Sequence, residues 1–121
     1  MRQFGGVLLI AHRGGPTSND PANAIETLER TFKAGTHAAE IDIAQSRDGK
    51  LFLMHDDDLD RMTTGRGRVA SQDWADIAKL NLKTSGKTTR FHPATLADVL
   101  AWAVRNNALI ELDKKPSTSN D

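Results

Sequence analysis

The pattern that most constrains this chain is Glu40-Ile41-Asp42-Ile43, followed by the turn residues Arg47-Asp48-Gly49-Lys50 and an apolar run, Leu51-Phe52-Leu53-Met54, that ends in His55-Asp56. With a strand period of two, the first tetrapeptide places both carboxylates on one face and both isoleucines on the other. The run from Leu51 to Met54 has the character of a strand buried on both faces. Acids two positions apart lie about 7 Å from each other along a strand, where they repel and lose solvation on burial unless something positive sits between them. A cation is the simplest candidate. The same alternation also describes a half-exposed antiparallel strand with its acids in water, so the rest of the chain has to decide.

Taken in order, the chain alternates strand and helix. Val7 to Ala11 is a continuous aliphatic run that ends in His12-Arg13-Gly14-Gly15-Pro16, as a strand covered on both faces would. Asp20 and Pro21 fit the cap and first position of a helix. Ile25, Leu28 and Phe32 recur at helical spacing up to Gly35, and Glu29 with Lys33 makes an i,i+4 pair. Strands are predicted at 39–44 and 51–55. Residues 57–70 read as a solvated polar loop in which Asp57, Asp58 and Asp60 offset the Gly65-Arg66-Gly67-Arg68 run. Ser71 fits the cap of a short helix through Trp74, Ile77 and Leu80. Thr95 caps a clear amphipathic helix carrying Leu96, Val99, Leu100 and Ala103 on one face. A fourth strand, 108–112, runs into Asp113-Lys114-Lys115-Pro116.

Alternating units with polar residues at the C-terminal ends of the strands point to an α/β fold with a parallel sheet and an active face at those ends. Four strand ends are then expected to bring together His12 and Arg13, Glu40 and Asp42, His55, and Asp113 with Lys115. His37 reads as a solvated loop residue, His92 as a loop histidine with no partner in sequence, and Trp74 and Trp102 as core or half-buried anchors. Asp56 is placed to orient His55, and Asp57 and Asp58 to face water.

Composition excludes several classes. Among 121 residues, 16 Lys plus Arg balance 16 Asp plus Glu, so no net field favours nucleic acid or a membrane surface. No apolar run approaches the roughly 20 residues of a membrane span. The absence of cysteine removes thiolate metal sites. The N-terminal apolar stretch has no small-residue cleavage site, so it reads as a strand, and a cytoplasmic location is the expectation.

Together these residues carry a resemblance. The ordered series His12-Arg13-Gly14, Pro21 to Gly35, Glu40 to Asp56 and Leu112 to Pro116 is similar to the glycerophosphodiester phosphodiesterase family. The resemblance implies a TIM-barrel (β/α)8 fold and divalent-cation-dependent hydrolysis of small-molecule glycerophosphodiesters to an alcohol and glycerol phosphate. It implies Glu40, Asp42 and Asp113 as metal ligands, His12 and His55 as the acid and base, and Arg13 and Lys115 facing phosphate. Carboxylate ligation suits a hard cation, Mg2+ or Ca2+. Glu111 shares the strand face of Asp113 and competes with it; Asp113 is favoured by its spacing to Lys115 and Pro116. Where the family commonly has Pro-Glu-Asn, this chain has Pro21-Ala22-Asn23, so a polar contact is expected to be absent at position 22.

A TIM barrel takes about 250 residues, so the chain reads as the N-terminal part of one, with about the first four strands. Exposed sheet edges in such a part predict pairing with a second copy or completion by a C-terminal half. Two other readings stand beside the phosphodiesterase: a catalytically inactive half-barrel serving as a fold remnant or binding module, and a phospholipase-D-like lipid phosphodiesterase.

Overall fold

The computed structural model describes residues 3–4, 7–8 and 10–114, with side chains from 10 to 113. Two short strands, β1 (Gln3–Phe4) and β2 (Val7–Leu8), pair antiparallel. A single turn of 3-10 helix, His12–Gly14, precedes α1 (Ile25–Lys33). Strand β3 (Ala38–Gln45) follows, then β4 (Leu51–Leu53), a 3-10 turn at Val69–Ser71 and α2 (Trp74–Ile77). A small hairpin, β5 (Lys83–Thr84) and β6 (Lys87–Thr88), leads to α3 (Leu96–Asn106) and β7 (Leu109–Lys114).

The central sheet has the order β4-β3-β7. β7 runs parallel to β3 in the register Glu40↔Glu111 and Asp42↔Asp113. On the opposite edge Ala11 makes one parallel bridge to Ala39, its N–H donating to Ala38 and its carbonyl accepting from Glu40, both at 2.9 Å. Among the described residues this is an α/β unit with no closed barrel.

The sequence reading errs on the run 51–55, predicted as a further parallel strand. β4 pairs antiparallel with β3, Ile43 opposite Leu53. Only residues 46–50 join the two strands, and a parallel crossover needs a dozen or more. Ser46 and Gly49 (φ +92°) close the turn, with Gly49 donating to the Ser46 carbonyl at 3.0 Å. The return path carries Met54 back to Asp42, whose carbonyl accepts the Met54 N–H at 3.1 Å. His55 therefore comes beside the β3 acids by doubling back and not as the C-terminal end of a parallel strand.

Alternation along β3 sorts the core into two clusters. Ala39 and Ile41 face the helices and pack with Leu28 of α1, Leu53, and Val99, Trp102 and Ala103 of α3. On the other side Ala44 joins Phe52, Met54, Leu59, Met62, Val69, Ile77 and Leu82. Segment 57–70 thus departs from its predicted solvated character: Leu59 and Thr63 are fully buried and Val69 nearly so, although Arg66 and Arg68 are exposed as expected. Its isolated apolar residues lack a period and so gave no signal.

Helix boundaries differ in an informative way. α3 begins at Thr95 as predicted, its Oγ1 accepting from the Asp98 N–H at 3.1 Å. α1 begins four residues later than its expected first position, because Asn23 adopts φ +60° and cannot be helical. Asp20 is no cap: it accepts from Thr17 Oγ1 at 2.7 Å and pairs with Arg30 at 2.7 Å. α2 is capped in position by Asp73 and not by Ser71, which ends the preceding 3-10 turn.

Candidate active site

The His12-Arg13-Gly14-Gly15 turn is shaped by left-handed backbone at Arg13 (φ 53°), Gly14 (φ 83°) and Gly15 (φ 86°). Three successive such residues are costly, and two of them are glycine. A Cβ at Gly15 would stand 2.6 Å from Thr31 Oγ1, so the close approach of α1 also demands glycine there. α1 holds the turn: Thr31 Oγ1 donates to the Gly14 carbonyl at 2.8 Å and Arg30 Nη2 donates to that of Gly15. The Asn23 N–H donates to the Arg13 carbonyl at 2.8 Å.

Held in this way, the turn projects two side chains across the acids of β3. His12 Nδ1 pairs with Glu40 Oε1, and the ring is otherwise largely exposed. Arg13 reaches past Asp42, its Nε 3.9 Å from Oδ2, to place Nη2 2.8 Å from His55 Nε2. His55 Nδ1 lies 2.9 Å from Asp56 Oδ1. A guanidinium only donates and a carboxylate only accepts, so the imidazole between them carries its proton on Nδ1 and offers a lone pair at Nε2. Five of the predicted residues, His12, Arg13, Glu40, Asp42 and His55, are thereby brought together.

Asp42 is 3% exposed, and its partner is a residue that the sequence reading did not rank as functional. Asn23 Nδ2 donates to Asp42 Oδ2 at 3.0 Å, while Asn23 Oδ1 accepts the Asp42 N–H at 2.9 Å. The left-handed φ of Asn23 is what aims the amide inward, and asparagine tolerates that conformation better than most residues. The signal available in the sequence was its place after Pro21-Ala22. Ala22 is buried with Met62 and Leu82 in the second core cluster, so apolar packing occupies the position where an acid was expected.

Asp56 is anchored more firmly than its sequence context suggests. Arg61 grips it with two hydrogen bonds, 2.7 and 2.9 Å. These bonds, reinforced by His55, lower the carboxyl from its usual 3.8 to about 2 despite partial burial. A group depressed in the folded state stabilises the fold above its unfolded value, and that contribution is lost as pH falls toward the folded value. Urea midpoints measured at pH 5, 3 and 2 are therefore expected to fall across this window, and less steeply in Asp56→Asn than in the parent chain. Equal slopes in the two proteins would refute the assignment.

The β3/β7 register places Glu40 and Asp42 side by side with Glu111 and Asp113, about 4.8 Å apart across the sheet. Registered neighbours in a parallel pair share a face, so four carboxylates share this one. Glu111 and Asp113 are both exposed, and the register leaves both as neighbours of the β3 acids. Among the described residues no three acids or histidines converge closely enough to hold an ion as the side chains stand, Glu40 being turned to His12 and Asp42 to Asn23 and Arg13. The donor set itself, all oxygen and concentrated on one face, suits a hard divalent cation. Lys115 lies outside the described residues.

The remaining ring residues are structural. Trp102 is buried against Phe32 at 5.9 Å, and Trp74 tilts over Phe52 at 5.2 Å. His37 meets the Phe32 ring edge at 4.5 Å, and a ring nitrogen of His92 donates to the Leu80 carbonyl at 2.8 Å. No helix among the described residues is long and apolar enough to cross a membrane.

Residues 12–121 match the glycerophosphoryl diester phosphodiesterase family. Glycerophosphodiester phosphodiesterase 1 of Mus musculus is 33% identical over 113 residues, covering 90% of this chain and 34% of its own length. A glycerophosphodiester phosphodiesterase of Caldanaerobacter subterraneus subsp. tengcongensis is 38% identical over 110 residues, covering 89% and 45%. Among solved structures, a glycerophosphoryl diester phosphodiesterase from Parabacteroides distasonis superposes with a TM-score of 0.83 at 36% identity, over 90% of this chain and 38% of that one. An Oleispira antarctica phosphodiesterase in complex with the product sn-glycerol-3-phosphate gives 0.77 at 26% identity, over 88% and 43%. The chain thus spans between about a third and a half of the length of these relatives.

Proposed function

The chain belongs to the glycerophosphoryl diester phosphodiesterase family, and from that membership we propose that it carries the catalytic face of a cation-dependent enzyme hydrolysing glycerophosphodiesters to an alcohol and glycerol phosphate. The observation that supports this most strongly is the juxtaposition of His12–Glu40, Arg13 and His55–Asp56 around the buried Asp42. Two imidazoles, each paired at Nδ1 with a carboxylate, direct their Nε2 atoms to proton transfer at the reacting phosphodiester, that of His55 once Arg13 has left it.

In this reading Glu40 and Asp42 would hold the ion, with Asp113 as third ligand and Glu111 as the competing one. Mg2+ or Ca2+ there would polarise a phosphoryl oxygen. Arg13 turns from Asp42 and His55 to phosphate oxygens, for which its planar fork is suited, and Lys115 adds a second positive charge. Release of Arg13 frees the Nε2 lone pair of His55 to take a proton from the attacking hydroxyl or water. His12, protonated and steadied by Glu40, gives a proton to the leaving alkoxide. Asp56 keeps the His55 proton on Nδ1, and Asn23 keeps Asp42 from rotating out of line.

Calorimetric titration with Ca2+ and with Mg2+ tests the ligand assignment apart from turnover. At least one ion is expected to bind at a single site, and Asp42→Asn to weaken it on the order of tenfold or more, because one anionic ligand is lost. Absence of binding by either ion, or equal affinity in Asp42→Asn, would remove the metal from this account.

A further inference from the structure

Beside Arg13 the molecule has a half-open cleft of about 340 Å3, at the small end of the range for ligand sites, roughly 300–1,000 Å3. Arg13, Arg61 and Lys83 line it with Thr84 and Ser85, and no acidic residue does. The three cations are not equivalent. Arg61 is answered by the two bonds to Asp56, and Arg13 is shared between Asp42 and His55. Lys83 forms no ion pair among the described residues.

The wall that carries Lys83 is fixed in place. Its N–H donates to the Met62 carbonyl at 2.8 Å, and the next residue, Thr84, donates from Oγ1 to the Thr17 carbonyl at 2.6 Å. Lys87, at the far end of the hairpin, donates to Asn19 Oδ1 at 3.1 Å. The β5–β6 hairpin is thus strapped to the loop that follows Arg13, so the cleft is continuous with the candidate active site and its charge is preorganised.

We propose that this cleft is a head-group subsite favouring glycerophosphodiesters whose alcohol carries a further negative charge, a second phosphate above all, with Lys83 as the residue that selects it. The proposal rests on the phosphodiesterase reading, since Arg13 is what joins the cleft to the scissile group. An unpaired ammonium beside hydroxyls attracts a phosphate and disfavours a cationic head group such as choline.

The test compares binding of glycerophosphoinositol 4-phosphate with that of glycerophosphoinositol, which differ by one phosphate, by calorimetry on the full chain in one buffer. The phosphorylated ligand is expected to bind about tenfold tighter, the size of one charge-assisted contact. Lys83→Ala is expected to bring the ratio close to one, and Lys33→Ala, an exposed lysine of α1 that does not line the cleft, to leave it unchanged. No preference in the parent chain, a preference that survives Lys83→Ala, or an equal loss in Lys33→Ala overturns the subsite. A Lys83-dependent preference in a protein that hydrolyses neither ligand upholds the subsite and overturns the phosphodiesterase reading alone.

Discussion

Replacing either His12 or His55 by alanine is expected to lower glycerophosphodiester hydrolysis by about 10²- to 10⁴-fold, the usual contribution of a positioned general acid or base. The two losses are expected to differ in character. His55 sits between Arg13 and Asp56 at 2.8 and 2.9 Å, so its removal also frees Arg13 toward Asp42. His12 is exposed and touches the site through Glu40, so its removal deletes one proton-transfer group and little else. Steady-state kinetics should show His12→Ala losing kcat with KM nearly unchanged, and His55→Ala changing both. Activity within a few fold of the parent in either variant would remove that histidine from the reaction.

The largest effect on stability is expected from Phe52→Ala, at about 3–5 kcal/mol. Phe52 is fully buried. Its ring lies against Trp74 at 5.2 Å, its backbone pairs with Ala44 of β3, and its strand also bridges to Thr95 at the start of α3. Deleting the ring leaves a cavity among the side chains that tie residues 57–92 to the sheet. The same strand delivers His55, so the damage extends to the active face. Urea denaturation of parent and variant provides the number, and a loss below about 1 kcal/mol would mean that this cluster collapses around the gap.

The candidate site residues are more legible in the sequence than the topology that assembles them. Alternating Glu40-Ile41-Asp42-Ile43 faithfully reported the two faces of β3, because a strand exposed to two environments writes its period into the sequence. Leu51 to Met54 was legible as a strand, but an apolar run carries no direction. The short link through Asp48-Gly49 held that information, and its length argued for a hairpin. Asn23 was obscure for a different reason. Its role depends on a left-handed backbone and on Asp42, 19 positions away, and neither leaves a local pattern. Leu59 and Val69 were hidden by polar neighbours, since single buried residues in a loop have no period to detect. The partnership of Asp56 with His55 was visible from adjacency, whereas the grip of Arg61 on Asp56 was not.

β7 is the edge of the described sheet, and Leu109 and Leu112 on it are both close to half exposed. Such an edge leaves backbone groups open to pairing.

The most direct measurement is hydrolysis of glycerophosphoinositol by the purified chain, followed as glycerol phosphate released, with Ca2+ or Mg2+ and again with EDTA. Turnover that needs the ion and is lost in His12→Ala is the predicted result. A soluble, folded chain that releases no glycerol phosphate with either ion would contradict the claim that these residues form a working catalytic face.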